Sequence, residues 1–223
     1  MSDKFAAVVA RALERLDGGT TALLWLAERV EGWGRVYVVE ALCRLDDPAA
    51  KPWLLRRAVN GEFLNGYFAG EVAVKTALHE AIADPAADDE LIDHAGRLWH
   101  VPADYGEMST RIEEYAHAAD VLEQHVRHLG TQPPTARRFA AATMLADQIH
   151  SPAADRLRLP PARLGRLRDA YRSVLDRDDW SGARRRALDS GDDDLHPDYL
   201  RWLATEVGPR LGLRAFLGMV DYN

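Results

Sequence analysis

The chain has 223 residues, enough to bury a core without disulfide staples. Its single cysteine, Cys43, excludes an internal disulfide and a cysteine-based zinc site. The formal net charge of −7 at pH 7 argues against a general nucleic-acid coat or a protein that binds anionic membranes. The composition therefore predicts an ordinary globular protein.

The first predicted element is an amphipathic helix over residues 3–16. Charged residues such as Lys4 and Arg11 interrupt its apolar positions, whereas a signal peptide needs an unbroken apolar block. The longest apolar runs, such as 22–27, are far shorter than the roughly 20 residues that a membrane span requires. We therefore expect no export signal, no membrane span and a cytoplasmic location.

Helix signals continue along the whole sequence. Asp17-Gly18-Gly19 closes the first helix, and Asp47-Pro48 starts the fourth, because aspartate accepts exposed amide hydrogens and proline is tolerated in a first turn. The predicted helices cover residues 3–16, 22–30, 35–45, 48–59, 67–82, 89–99, 109–129, 135–150, 161–176, 180–190, 197–207 and 213–220. Sustained alternation of apolar and polar residues, the pattern of strands, is missing. The sequence therefore predicts an all-α fold.

The spacing of these helices indicates a repeated arrangement. Helices of about 10 to 16 residues joined by short turns favour antiparallel neighbours, and roughly 37 residues per pair gives about six pairs. Strict repetition is missing, so a helical bundle without repeats is the competing fold.

One segment, residues 34–55, matches a known repeat in detail. It carries Arg35 at the head of its first helix, Glu40-Ala41-Leu42 with Leu45, Asp47-Pro48 in the turn, Ala50, Pro52 and Leu54-Leu55. This segment resembles a HEAT repeat, particularly the short bacterial HEAT-like type. A weaker likeness at 137–145 lacks the Asp-Pro turn.

The resemblance implies a right-handed α-solenoid of about six antiparallel helix pairs, forming a single domain over residues 1–223. It also implies a non-catalytic protein without a cofactor that binds another macromolecule, in first place a protein, through its concave face. The second helix of each pair would line that face. This places Arg56 and Arg57 there, with Glu62 and Glu71 supplying opposite charge.

Two further candidate binding residues lie at the start of the matched segment. Trp33 lies between two glycines, where a turn would offer an aromatic anchor to a partner, and Arg35 follows closely. The predicted binding residues are therefore Trp33, Arg35, Arg56, Arg57, Glu62 and Glu71.

Two alternative functions stay open. Some bacterial DNA glycosylases are built from HEAT-like repeats, and residues 151–190 hold ten arginines against six aspartates. The arginines of the predicted helix 161–176, however, flank an apolar stripe that includes Leu167 and Tyr171, which is typical of side chains that surround a core. The other alternative is a helical enzyme or accessory protein with a small-molecule pocket, for which the sequence selects no substrate.

Candidate chemical groups are better explained by structure. Glu114, His117, His125 and His128 fall on the polar face of their predicted helix, so no internal metal site is expected. Asp88 and Asp89 read as a helix cap and an acidic first turn. Cys43 is expected to be a buried, unreactive thiol. Trp25, Trp53 and Trp202 lie beside leucines at helical spacing and are expected in the core.

Overall fold

The computed structural model describes residues 3–100, 115–180, 182–183 and 201–213. All regular structure in these residues is helical, which confirms the all-α prediction. The longer helices are α1 (Asp3–Leu13), α2 (Gly19–Ala27), α3 (Gly32–Leu45), α4 (Lys51–Arg57), α5 (Ala69–Lys75), α6 (Leu78–Ala83), α7 (Asp89–His100), α8 (Ala118–Leu129), α9 (Ala136–His150) and α10 (Pro161–Leu175). Short 3₁₀ segments cover Pro48–Ala50, Phe63–Tyr67 and Pro152–Leu157, and a π-helical turn, Leu203–Val207, leads into Gly208–Arg210. Within these described ranges, no helix has the length and apolar character needed to cross a membrane.

The chain divides into two compact units, Met1–Ala118 and Ala119–Asn223. Each has its own apolar interior. Leu42, Phe68 and Leu78 are fully buried in the first unit, and Phe139 and Trp180 are at most 1% exposed in the second. The single domain over 1–223 stays a prediction.

In the first unit, every second helix along the chain runs in the same direction. Gly34, near the start of α3, packs close to Ala6, near the start of α1. At the other end, Arg44 of α3 forms an ion pair with Glu14, just after α1, at 2.5 Å. Tyr67, just before α5, contacts Trp33 at the start of α3, and Lys75, the last residue of α5, pairs with Asp46, just after α3, at 3.5 Å. The helices α1, α3 and α5 therefore point in the same direction.

The second unit repeats this relation between α8 and α10. Arg163, in the first turn of α10, binds Glu123 of α8 at 2.8 Å. The buried Tyr171 hydroxyl lies 2.9 Å from His125 Nδ1. Arg177, just after α10, donates to the carbonyl of Gly130, just after α8, at 2.5 Å. These contacts follow the same order on both helices, so α8 and α10 are parallel.

The predicted helix 67–82 is divided in two. Ala77 lies between α5 and α6 with φ 49° and ψ 55°, in the left-handed region that a continuing helix cannot contain. Prediction of one helix was wrong here because alanine carries no local signal for a break. The predicted helix 109–129 begins in the structure at Ala118, and its residues 109–114 lie outside the described residues. Most of 180–190 and 213–220, and the start of 197–207, also lie outside them.

The tryptophans are distributed differently from the expectation. Trp25 is 60% exposed and Trp202 is 40% exposed, so the core prediction was wrong for both. Trp53 is half-buried. Trp99 and Trp180 fill the core instead. Leucine neighbours mark an apolar helix, but they do not reveal which side of it the remaining helices cover.

Candidate functional site

The candidate surface lies where the end of α4 meets the start of α7. The Asp47 carboxylate accepts the Ala49 N–H at 2.9 Å and starts the 3₁₀ turn that leads into α4. Asp88 starts α7 in the same manner, since its Oδ1 accepts the Leu91 N–H at 2.8 Å. Both predicted aspartate caps are thus confirmed, and they bring the two arginines of α4 opposite the acidic first turn of α7.

Both of these arginines are paired with carboxylates. Arg56 binds Asp88, with Nε and Nη2 each 2.9 Å from Oδ2. Arg57 Nε lies 3.0 Å from Glu90 Oε1, and its Nη1 lies 3.6 Å from Glu28 Oε1. The indole N–H of Trp53 donates to the same Glu28 oxygen at 2.5 Å. We define the α4–α7 surface as Glu28, Trp53, Arg56, Arg57, Asp88 and Glu90.

Ion pairing favours the charged forms of the groups on this surface. The hydrogen bond from Arg56 lowers the pKa of Asp88, and the hydrogen bond to Glu90 raises the pKa of Arg57. Glu28, Arg57 and Glu90 are exposed, so their pairing adds little to stability. The main consequence of this pairing is a pattern of alternating positive and negative groups next to the indole N–H of Trp53.

Arg35 lies beneath this surface and is 8% exposed. Its Nε donates to the Ala58 carbonyl at 2.8 Å and its Nη1 to the Ala27 carbonyl at 3.0 Å, while Nη2 donates to the Arg57 carbonyl. Its guanidinium carbon also lies 5.4 Å from the centre of the Trp53 ring. Burial lowers the pKa of Arg35, although nearby glutamates oppose this effect. The structure therefore gives Arg35 an internal position, satisfying the carbonyl ends of α2 and α4, in place of the surface position expected from the sequence.

The two predicted glutamates lie apart from the α4 arginines. Glu62 accepts the Gly32 N–H at 2.7 Å through Oε2 and the Asn60 side-chain amide at 2.8 Å through Oε1. It thereby provides an acceptor for a backbone N–H in the first turn of α3, which has no partner within the helix. Glu71, half-buried on α5, has its pKa raised by burial and then by the charge of Glu40.

Trp33 lies in the first turn of α3, where the sequence predicted a turn before the helix. Its ring stacks on Tyr37, with centroids 5.9 Å apart, and meets Tyr67 at 4.8 Å. All three rings are half-buried. The aromatic anchor predicted at Trp33 is thus one member of a cluster whose other members hold it in place.

The structure brings Arg56 and Arg57 together on one surface, with Arg35 below it, while Trp33 and Glu62 lie at the start of α3. Sequence reasoning missed three members of the α4–α7 surface, Glu28, Asp88 as an ion-pair partner, and Glu90. Their partners lie about 30 residues away in the chain, so spacing gave no signal. The sequence did show that α4 ends in two arginines and that α7 begins with acidic residues, and such helix ends can pair when folding brings them together.

Apolar side chains on the outer faces of α1 and α2 were also missed. Phe5 and Val8 of α1 are each 65% exposed, and Leu16 beyond it is 60% exposed. The Arg29 guanidinium lies 4.1 Å from the centre of the exposed Trp25 ring. The core-facing side of α1 is instead formed by small residues such as Ala6 and Ala10.

The histidines do not form a metal centre in the part of the chain that is described, where no group of three or more potential ligands is suitably arranged. The expectation of a solvent-facing His125 was wrong, since this side chain is 2% exposed and contacts Tyr171. The buried face of α8 is wider than the predicted stripe and includes Val121 and His125. His117 lies elsewhere, stacked on His79 with ring centroids 3.7 Å apart.

Cys43 is fully buried, as predicted. Burial raises the pKa of its thiol to about 12, with Glu71 adding to the effect. A thiol with this pKa is protonated at neutral pH, and the protonated form is a poor nucleophile.

The described arginines among residues 151–190 do not form one continuous positive surface. Arg163 binds both Asp120 and Glu123, and Arg168 donates to the Ile149 carbonyl at 2.8 Å. Leu167 and Tyr171 of the same helix, α10, are buried as predicted. Residues 184–186, three consecutive arginines, lie outside the described residues.

Comparison with known proteins adds no assignment. No protein-family model, curated protein or solved structure matches this chain.

Proposed function

We propose that the chain is a non-catalytic binding protein that recognises another protein through the α4–α7 surface of a HEAT-like solenoid. The observation that carries this proposal is the pairing of Arg56 and Arg57 with carboxylates. A surface that holds both charges in fixed positions suits a partner with a complementary mixture of charges. Trp53 adds an aromatic group to this surface, and aromatic residues and arginines dominate the energetics of protein interfaces.

The same pairing supports a protein partner over nucleic acid. Binding of a duplex derives largely from cations that neutralise phosphates and release counterions. Arg56 and Arg57 are already neutralised by Asp88 and Glu90, so these carboxylates would have to be displaced or would repel the phosphates. A glycosylase groove is therefore the less favoured alternative at this surface.

The parallel helices in each unit support the solenoid part of the proposal. In stacked helix pairs, the first helices of successive pairs run parallel, and so do the second helices. The helices α1, α3 and α5 have this relation, as do α8 and α10. In this arrangement α4 is a second helix, which is the type that lines the concave face.

The test reverses the exposed Arg57–Glu90 ion pair and gives up the longer contact between Arg57 and Glu28. In the double variant Arg57→Glu/Glu90→Arg the pair can still form, so folding is retained while the charge pattern offered to a partner is inverted. Asp88 is left unchanged because it also caps α7. Wild type and variant would each be used as bait in an extract of the source cells, with bound proteins quantified by mass spectrometry. We expect a specific partner that the variant enriches at least about tenfold less than wild type.

The control is Arg156→Glu/Arg172→Glu, which changes exposed arginines of the second unit. It should retain the partner. If the reversed pair retained every enriched protein, the α4–α7 surface would not be the binding site. If wild type bound duplex DNA in about 50 mM salt and the reversed pair did not, the nucleic-acid alternative would replace the proposal.

A further inference from the structure

A groove runs between the parallel helices α8 and α10 of the second unit. It has a volume of about 630 Å³ and is open to solvent. The Arg163–Glu123 ion pair borders one end, and the hydrogen bond between His125 and Tyr171 joins the two helices in the interior. On the α10 side its lining runs from Arg163 to Val174, about 16 Å of helix.

The floor of the groove is apolar and its walls are charged. The apolar residues of the lining are Val126 of α8 and Leu167, Ala170 and Val174 of α10. Ala170 is half-buried, and the other three are at most 8% exposed, so the floor is a narrow apolar strip.

The wall arginines differ in their pairing. Arg163 is held by Asp120 and Glu123. Within the described ranges, Arg127 on α8 and Arg166 on α10 have no carboxylate partner, and both are exposed. The lining thus contains three arginines and one glutamate in a chain whose formal net charge is −7. Two unpaired cations on opposite walls above an apolar strip require an occupant that is acidic and apolar at once.

We infer that this groove binds an acidic amphipathic helical segment of a partner protein. An occupant of about three turns would match the length of the lining and place apolar side chains on Val126, Ala170 and Val174. Aspartate or glutamate residues on its flanks would pair with Arg127 and Arg166. This inference concerns the second unit and does not rest on the α4–α7 surface.

The shape and charge of the groove favour a peptide over other ligands. A small-molecule site encloses most of its ligand, whereas this groove leaves one side open. A nucleic acid would gain nothing from an apolar floor between the two walls. A helix laid between two parallel helices buries its apolar face and keeps its polar face in solvent.

The experiment selects peptides on the intact chain. A display library of random peptides of about 16 residues is enriched on the wild-type protein, and affinities of the enriched peptides are measured by fluorescence anisotropy. We expect enriched sequences with apolar residues at helical spacing and an excess of Asp and Glu. Their affinity should fall at least about tenfold in Arg127→Glu/Arg166→Glu. It should also fall in Ala170→Phe, which obstructs the floor without changing charge.

The control variant Arg156→Glu/Arg172→Glu carries the same charge change away from the groove lining and should bind the peptides as wild type does. Enriched peptides without acidic bias, or peptides whose affinity is equal in the groove and control variants, would overturn the inference. Concentration-dependent self-association of the wild type that the groove variants abolish would also overturn it, since the occupant would then be a second copy. Retained thermal midpoints would show that both groove variants are folded.

Discussion

Arg35 donates to carbonyls at the C-terminal ends of two helices, α2 and α4. The last turn of a helix leaves carbonyl oxygens without intrahelical partners and carries partial negative charge. Arg35 reaches the carbonyls of Ala27, Arg57 and Ala58 with three different nitrogens. The planar guanidinium suits this task because its donors spread in one plane, which a lysine ammonium cannot reproduce.

The first prediction concerns this residue. Arg35→Ala should lower the free energy of unfolding by about 2–4 kcal/mol, because three carbonyls lose a buried charged donor. Arg35→Lys should recover only part of the loss. Urea unfolding followed by circular dichroism measures both values.

Arg57→Ala is the matched control, since its side chain is exposed and paired only at the surface. Its unfolding midpoint should stay close to that of wild type. Equal losses for the Arg35 and Arg57 variants would contradict the internal role of Arg35.

At the scale of elements, the break between α5 and α6 depends on backbone geometry at one residue. Ala77 adopts φ 49°, where its Cβ crowds the following carbonyl oxygen. α5 ends at Lys75, before the break, and α6 begins after it at Leu78, which is fully buried. The packing of Leu78 and Ile82 compensates for the strained backbone.

Ala77→Gly should therefore stabilise the chain by about 0.5–1 kcal/mol, because glycine adopts this conformation without strain. Thermal unfolding in parallel with wild type measures the gain. Ala81→Gly, in the body of α6, should destabilise the chain by a similar amount. A loss of stability in both variants would mean that Ala77 is not strained.

At the scale of the whole molecule, each unit contains a buried neutral histidine. His94 in the first unit is fully buried, and its Nε2 accepts the Val59 N–H at 2.9 Å. In the second unit, His125 is 2% exposed and its Nδ1 lies 2.9 Å from the Tyr171 hydroxyl. Burial lowers the pKa of each imidazole from 6.5 to about 3, with Arg97 adding to the effect at His94 and His128 at His125.

These shifts predict a loss of stability in acid. The folded form keeps both histidines neutral, whereas the unfolded chain binds a proton at each below about pH 6.5. Their stabilising contribution is complete above pH 6.5 and falls as the pH drops toward 3, by about 1.4 kcal/mol per pH unit for each histidine.

Urea unfolding at several values between pH 7.5 and 5 measures the slope, in a range where paired carboxylates such as Asp88 stay ionised. His150, whose pKa is also lowered by burial, adds to the slope in the same direction. As an independent check, calorimetry in buffers of different ionisation enthalpy measures how many protons the chain binds when it unfolds. A free energy of unfolding that does not change from pH 7 to pH 5 would show that these histidines are accessible to protons in the folded chain.

The sequence alone determined the helical class, most helix positions and several helix starts of this protein. These depend on interactions between residues that are close in the chain. Examples are apolar residues at helical spacing, as in the stripe of α10, and the aspartates that cap α7 and the 3₁₀ turn that begins at Pro48. The same reasoning anticipated that Cys43 is buried and that many arginines flank a core.

Only the tertiary structure decided which face of each helix meets a neighbour. Trp25 is exposed and His125 is buried because other helices cover one side of α2 and a broad face of α8. It also decided that Arg35 serves two helix ends, while Arg56 and Arg57 meet carboxylates about 30 residues away. The physical reason is that capping and periodicity act within a few residues, whereas burial and charge pairing depend on groups that folding brings together from distant parts of the chain.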